Sequence, residues 1–163
     1  RYPHQKGFGR LKKEDHEAVR WALSITNTDE LADRDMDALS GGQRQRAWIA
    51  MALAQDTPLI LLDEPTTYLD MAHQLEILEL LEDLNKRQGK TIAMVIHDLN
   101  LAARFSDWMI AMRSGKILYE GTPKEIMTNK TLADVFSLDA CISQDPWTGK
   151  PVCVTYRMKK REN

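Results

Sequence analysis

Residues 59–65 read LILLDEP, four consecutive apolar residues followed by two acids and a proline. Such an unbroken apolar run is typical of a strand that is buried on both faces of a parallel sheet. A second run, Thr91 to Ile96, follows a long helical pattern over residues 72–88 that Gly89 ends. Two buried strands that enclose a helix predict a parallel βαβ unit, so the fold class is α/β.

Upstream of this unit the pattern is helical. Apolar residues recur at helical spacing from residue 12 to about 26, and an acid-rich stretch follows to Asp37. Ser40-Gly41-Gly42 then opens a second predicted helix that runs to about Ala54. Its predicted apolar stripe consists of Ala47, Ala50, Met51 and Ala54.

Downstream, hairpins and short helices alternate. Residues 99–105 and 131–136 favour short helices, and Thr122-Pro123 begins another, with Glu125 completing a capping box. Residues 108–120 and 140–156 favour two hairpins. Cys141 and Cys153 lie in the second hairpin, where they either form a reduced, partly buried pair or bridge the two strands.

The bulk composition narrows the class of protein. The 163 residues suit one soluble globular domain, with 43% hydrophobic and 28% charged residues. A formal net charge of -2 gives no global basic field, so nucleic acid is not an expected partner. No apolar run approaches the roughly 18 residues of a membrane span.

Asp63 and Glu64 follow the first buried strand, at the edge where α/β sheets place their ligands. Asp63 can hold Mg²⁺, usually through water, and Glu64 can polarise an attacking water as a general base. The alternative is that two acids simply end a core strand. His97 follows the neighbouring strand, so its ring should emerge at the same edge and can bond a phosphate oxygen; a structural histidine is the alternative.

Ser40, Gly41 and Gly42 stand at a predicted helix start. Unpaired amides and the helix dipole make such a start an anion site, and two glycines let a phosphate approach the backbone closely. An ordinary helix cap with a flexible glycine pair explains the same residues equally well.

Taken together, these motifs resemble the ATP-binding-cassette (ABC) ATPases. Residues 39–46, LSGGQRQR, are similar to the signature motif of the family, residues 59–64 to its Walker B strand, and residues 66–70 to its D-loop. The resemblance implies a P-loop NTPase-type fold with a partial parallel sheet, part of the helical subdomain, and C-terminal hairpins and short helices. It divides the chain into residues 1–54, part of the helical subdomain, and residues 55–163, the second half of the ATPase core.

The resemblance also implies a role for each site residue, with ATP and Mg²⁺ as cofactors. Glu64 and His97 would be catalytic, and Asp63 would hold the magnesium ion. Asp70 would lie at a dimer interface. The γ-phosphate held by the other subunit of a head-to-tail dimer would be bound by four signature residues: Ser40, Gly41, Gly42 and Gln43.

Subgroup features resemble the ATPases of iron-siderophore, haem and cobalamin importers. They are residues 1–4, 65–74, 97–102 and 145–151. The implied function is an ATP-hydrolysing subunit, peripheral on the cytoplasmic face of the membrane. Its expected partners are a second ATPase subunit, a membrane permease and, indirectly, a substrate-binding protein. A non-catalytic fragment that only associates, or an ABC ATPase not linked to transport, are the alternatives.

One motif that the family needs has no counterpart here. A P-loop, GxxxxGK[ST], should precede the signature, and no part of residues 1–38 matches it. Gly89-Lys90-Thr91 lies between a helix and a strand, the reverse of P-loop order, so we interpret Gly89 as a helix cap. The chain also begins without Met, which is compatible with processing or with a chain cut from a longer one. Since the P-loop is missing, we expect a C-terminal fragment. Alone, it should bind ATP weakly or not at all and be inactive.

Overall fold

The computed structural model describes residues 11–67 and 69–159. The subgroup feature at residues 1–4 therefore lies outside the described residues, as does Tyr68 within the D-loop. Contacts divide the chain into two compact units, the first ending at Val95 and the second beginning at Ile96.

The first unit contains a parallel βαβ unit preceded by two helices, as predicted. Two single-turn 3₁₀ helices, Asp29–Leu31 and Met36–Ala38, lie in the acid-rich stretch. The main elements are α1 (Lys13–Ile25), α2 (Gly41–Ala54), β1 (Leu59–Asp63), α3 (Met71–Gln88) and β2 (Thr91–Val95). Gly89 ends α3 in the left-handed conformation, with φ +65°, which confirms its interpretation as a helix cap.

Strands β1 and β2 pair in parallel from Leu59 opposite Thr91 to Asp63 opposite Val95. Within the described unit only one face of this pair is covered, as expected for the partial parallel sheet that the sequence predicts. Ile60 is buried in the core, but Leu61 is 70% exposed on the other face. Since apolar runs mark strands that are covered on both faces, the sequence of β1 is adapted to a cover that the described residues of this unit do not provide.

One hydrophobic core joins the helices of this unit to the inner face of β1. On α2 the buried residues are Ile49, Ala50, Leu53 and Ala54, whereas Met51 is 53% exposed, so the predicted stripe was wrong at that residue. The spacing of Ile49 and Leu53 follows the helical period and places their larger side chains against the core. The buried cluster comprises Ala22, Ile49, Ala50, Leu53, Ala54, Ile60, Ile77, Leu81 and Leu84.

The second unit consists of two antiparallel hairpins and three short helices, again as predicted. Its elements are α4 (Leu99–Phe105), β3 (Met109–Arg113), β4 (Lys116–Gly121), α5 (Pro123–Ile126), α6 (Asn129–Phe136), β5 (Leu138–Gln144) and β6 (Pro151–Met158). Ser114 and Gly115 both have positive φ, 51° and 75°, which lets a two-residue turn join β3 to β4. We call β5 and β6 the C-terminal hairpin.

A smaller core holds the second unit together. Ala103, Met127, Leu132 and Cys153 are buried, and Leu99, Met109, Ala140 and Ile142 pack against them. Both cysteines are free thiols: Cys153 is buried and Cys141 is exposed. Cys153 lies opposite Ile142 and Cys141 opposite Thr155, so the two cysteines are not cross-strand partners. Burial raises the pKa of the Cys153 thiol, and the neighbouring Cys141 adds to that rise.

None of the helices in the described ranges is long and apolar enough to cross a bilayer.

Candidate functional site

Two adjacent acids lie at the carboxyl end of β1. Asp63 is the last residue of the strand and its side chain is exposed. Glu64 follows, and its backbone N–H donates to the carbonyl oxygen of Val95 at 3.2 Å. The parallel pairing therefore continues one residue past β1, and both acids are set at the edge where α/β sheets bind ligands.

The side chain of Glu64 is held by the loop that follows it. The hydroxyl of Thr67 donates to Glu64 Oε2 at 2.9 Å, and the N–H of Thr67 donates to the carbonyl oxygen of Glu64 at 3.2 Å. A single residue, Thr67, thus fixes both the backbone and the half-buried carboxylate of Glu64. Sequence reasoning gave Thr67 no role of its own, although a threonine three residues after an acid is a spacing at which such local bonds form.

Glu64 also has an uncommon backbone conformation, with φ +49°. A residue other than glycine in this left-handed region costs about 1–2 kcal/mol. Backbone strain of this kind persists only where surrounding contacts enforce it, and it is frequent at active sites. Glu64 is the one residue of the described site that combines such strain with an anchored carboxylate.

Ser40 caps the start of α2 in a complete capping box. Its hydroxyl accepts from the backbone N–H of Gln43 at 3.3 Å, and Gln43 Oε1 accepts from the N–H of Ser40 at 3.1 Å. These two bonds order the helix start locally, and Ser40 and Gly41 are exposed there. Gly41 has open space beside it, whereas a Cβ built on Gly42 would lie 3.3 Å from Leu69 Cδ2. The structure thus brings Gly42 of the signature next to the D-loop.

Asp70 caps the start of α3. Its Oδ1 accepts from the backbone N–H of His73 at 3.0 Å and lies 2.8 Å from His73 Nδ1. The backbone hydrogen bond, followed by the bond to the ring, lowers the pKa of the Asp70 carboxyl below its ordinary value. Gln74 belongs to the subgroup feature at residues 65–74. Its amide donates to the carbonyl oxygens of Thr66 and Leu69 and ties the D-loop to α3.

His97 lies two residues beyond the last residue of β2, at the start of the second unit, and is exposed. The strand ends earlier than the sequence suggests, at Val95 and not at Ile96. The physical reason is the next helix: Asp98 Oδ1 accepts from the N–H groups of Asn100 and Leu101, so the chain turns into α4 directly after His97.

The donor set at β1 fits magnesium bound together with a nucleotide. Within residues 11–67 and 69–159, no three His, Cys, Asp or Glu side chains form a cluster that could hold a metal ion. Mg²⁺ is usually held by one or two carboxylates together with waters and substrate phosphates, and does not need a protein cage. The exposed carboxylate of Asp63 meets that requirement. Lys90, the lysine of the Gly89-Lys90-Thr91 sequence, has an acidic partner in the structure: its Nζ donates to Asp56 Oδ1 at 2.6 Å.

Comparison with known proteins adds independent findings. The sequence model described as "ABC transporter" matches residues 3–67. The iron(3+)-hydroxamate import ATP-binding protein of Bacillus subtilis is 63% identical over 162 residues, which cover 99% of this chain and 60% of that protein. The ferric enterobactin transport ATP-binding protein of Escherichia coli is 53% identical, over 94% of this chain and 57% of that protein.

Solved structures agree with the sequence matches. A metal-chelate type ABC transporter in an inward-facing conformation matches with a TM-score of 0.83 and 32% identity, over 94% of this chain and 62% of the matched one. A dimeric ATP-binding cassette bound to ADP and phosphate matches with a TM-score of 0.63 and 36% identity, over 71% of this chain and 50% of the matched one.

The fold and the motifs at the end of β1 and the start of α2 are thus those of an ATP-binding-cassette ATPase, and the chain belongs to the ABC transporter family. Within that family it resembles the ATP-binding proteins of iron-siderophore importers. The chain spans about 60% of the length of the curated relatives that it matches.

Proposed function

We propose that the chain forms part of an ATP-hydrolysing subunit that drives import of iron siderophores or related metal chelates. The observation that carries the proposal is the anchored Glu64 carboxylate, directly after Asp63 at the carboxyl end of β1. The 63% identity to an iron(3+)-hydroxamate import protein supports the class of cargo.

Each site residue has a proposed task. Glu64 accepts a proton from the attacking water, and Thr67 keeps its carboxylate in place for that step. Asp63 holds magnesium through water, and His97 donates a hydrogen bond to the γ-phosphate. When bound, ATP would supply the phosphoryl group, and Mg²⁺ would neutralise part of the charge of that group.

The signature residues act on the nucleotide of a second subunit in this proposal. Ser40, Gly41, Gly42 and Gln43 lie at an exposed helix start, where amides and the helix dipole favour a phosphate. Asp70, at the neighbouring start of α3, lies at the interface of the same dimer. The proximity of Leu69 to Gly42 supports a common role for these two segments.

The proposal extends to the assembly in which ABC transporter ATPases work. The whole protein is a peripheral subunit on the cytoplasmic face of the membrane, works as a homodimer on a permease, and receives cargo from a substrate-binding protein. Residues 1–54 belong to its helical subdomain and residues 55–163 to the second half of its ATPase core. The exposed outer face of β1 favours a second candidate for the isolated chain, association without catalysis.

Glu64→Gln in the whole protein tests the proposed chemistry. Because the amide oxygen can still accept from Thr67 while basicity is lost, we expect turnover to fall about 10²- to 10⁴-fold with ATP binding retained. Glu79→Gln, on the exposed side of α3, is the matched control and should keep full activity. ATP turnover and ATP binding are measured in parallel; a Glu64→Gln protein with normal turnover would contradict the proposal.

A mixture of Ser40→Arg and Glu64→Gln subunits tests the assignment of Ser40 to the partner's site. In a mixed dimer, one composite site carries both changes, and the other keeps its own Glu64 and faces an intact Ser40. The mixture should therefore hydrolyse ATP faster than either variant alone. If the mixture is as inactive as both variants, crosslinking of Ser40→Cys to a nucleotide on the other subunit decides whether Ser40 is misassigned or both sites must work together.

A further inference from the structure

The side chain of Asn100, in the first turn of α4, makes two hydrogen bonds to one residue of the C-terminal hairpin. Cys153 donates its backbone N–H to Asn100 Oδ1 at 2.8 Å, and Asn100 Nδ2 donates to the carbonyl oxygen of Cys153 at 3.1 Å. The carboxamide thus satisfies both backbone groups of Cys153, as a neighbouring strand would. Such paired bonds fix the orientation of a side chain as well as its position.

The Asn100 contact lies three residues from His97. Asp98 stands between them and caps α4, with its Oδ1 accepting from the N–H of Asn100 at 2.8 Å and of Leu101 at 2.9 Å. His97 therefore directly precedes a helix start that is held at two points. Asp98 accepts from backbone N–H groups of the first turn, and the side chain of Asn100 bonds to Cys153. Little freedom remains in the segment that carries the imidazole.

The other end of α4 is tied to the same hairpin. Lys150, the residue before β6, donates from Nζ to the carbonyl oxygen of Ser106, the residue that caps the end of α4, at 3.0 Å. Ala103, between these two ties, is buried in the same cluster as Cys153, and Leu99 packs against that cluster. The hairpin and its connecting loop are thus hydrogen-bonded to α4 near both of its ends.

We propose that Asn100 is a positioning residue for His97, and that through it the C-terminal hairpin sets the placement of the imidazole. This inference rests on the proposed function, because His97 has a task only if ATP is hydrolysed at this site. A movement of the hairpin relative to α4 would reach His97 through Asn100 and Asp98. The hairpin, which carries no proposed catalytic residue, becomes an element that can regulate turnover.

The first test measures ATP hydrolysis by the whole protein with Asn100→Ala. We expect kcat to fall about 10- to 100-fold, the range that misplacement of a catalytic group by about 1 Å produces, with little change in the KM for ATP. Asn129→Ala is the matched control, because Asn129 Oδ1 accepts from the N–H of Ala140 at 2.8 Å on the other strand of the same hairpin. That variant should keep its kcat.

A double substitution separates positioning from general damage. Once the imidazole is absent its placement no longer matters, so His97→Ala with Asn100→Ala should be no slower than His97→Ala alone. Asn100→Asp keeps the acceptor for the Cys153 N–H but loses the donor, so its kcat should lie between those of the wild type and Asn100→Ala. It also serves as the test if Asn100→Ala does not fold.

Nuclear magnetic resonance of labelled histidine provides a readout that does not depend on ATP hydrolysis. Asn100→Ala should shift or broaden the imidazole signals of His97 and leave those of His73, held by Asp70 in the first unit, unchanged. Unchanged His97 signals, or a kcat no lower than that of Asn129→Ala, would overturn the inference. If His97→Ala retains full turnover, the proposed role of His97 fails, and the imidazole signals still decide whether Asn100 positions it.

Discussion

At the scale of single residues, the two signature glycines have different surroundings. Gly41 has no neighbouring atom within 4 Å of a built Cβ, and Gly42 has Leu69 Cδ2 at 3.3 Å. A methyl group at Gly42 would therefore press on the D-loop, while one at Gly41 would point into open space. Replacement by alanine therefore tests steric space at Gly42 and the backbone entropy of glycine at Gly41.

We expect Gly41→Ala to raise the free energy of unfolding by up to about 1 kcal/mol, because alanine loses less backbone entropy in a helix than glycine does. Gly42→Ala should gain less or lose stability, since Leu69 must move by a few tenths of an ångström. Urea unfolding of both variants checks the order. Equal stabilisation by the two changes would show that the Leu69 contact is not tight.

The sequence predicts a feature of these residues when that feature depends only on neighbouring residues in the chain. An apolar run that ends in Asp63 and Glu64 indicates, from sequence alone, acids at the carboxyl end of a strand. The positive φ of Glu64 and its bond to Thr67 do not follow from that pattern, because they depend on how the next loop turns back after pairing with Val95.

At the scale of secondary-structure elements, α3 begins at a titratable cap. Hydrogen bonds from His73 lower the pKa of Asp70, so the folded carboxyl holds its proton less tightly than the unfolded one. The stabilisation is fully present above the ordinary aspartate pKa and is lost as pH falls through the lowered folded value. The cap should thus weaken only in acid.

Asp70→Asn tests this pH dependence. The amide oxygen can still accept from the N–H of His73, but it does not titrate in acid, so the variant should lose less stability than the wild type between neutral and acid pH. Unfolding by urea at a series of pH values measures the difference. Parallel losses in both proteins would mean that Asp70 does not contribute to acid sensitivity.

Most element types and bounds follow from local patterns in the sequence. The capping box at Thr122 and Glu125, the glycine after α3 and the Ser114-Gly115 turn each impose a boundary through their own backbone chemistry. The predicted stripe on α2 was wrong at Met51, because alanines at helical spacing do not show which side of a helix meets the core. That choice depends on where the larger Ile49 and Leu53 pack.

At the scale of the whole molecule, the outer face of the β1–β2 pair is exposed, as two apolar runs in a partial parallel sheet predict. Leu59, Leu61 and Val95 are 47%, 70% and 50% exposed. Contiguous exposed apolar side chains on a short parallel sheet mark a surface that packs against another element or chain. A solution of this 163-residue chain should therefore contain associated species.

Leu61→Lys tests whether this face drives the association. The charged side chain should shift the chain towards monomer at little cost to its own folding, because Leu61 is mostly exposed already. Met71→Lys, at the start of α3 where the side chain is even more exposed, is the control and should not change association. Sedimentation of the three proteins at several concentrations measures the effect. A wild-type chain that stays monomeric at all of them would contradict the prediction.

The pairing of β1 with β2 has a consequence for the order in which the chain folds. Leu59 pairs with Thr91, thirty-two residues later, whereas β3 and β4 are joined by two residues. Hairpins form in about 1–10 μs, but contacts between distant segments must first overcome the entropy of closing a long loop. The β3–β4 ladder can therefore form before the β1–β2 ladder, so the strand that carries Asp63 is among the last to gain protection from hydrogen exchange during refolding.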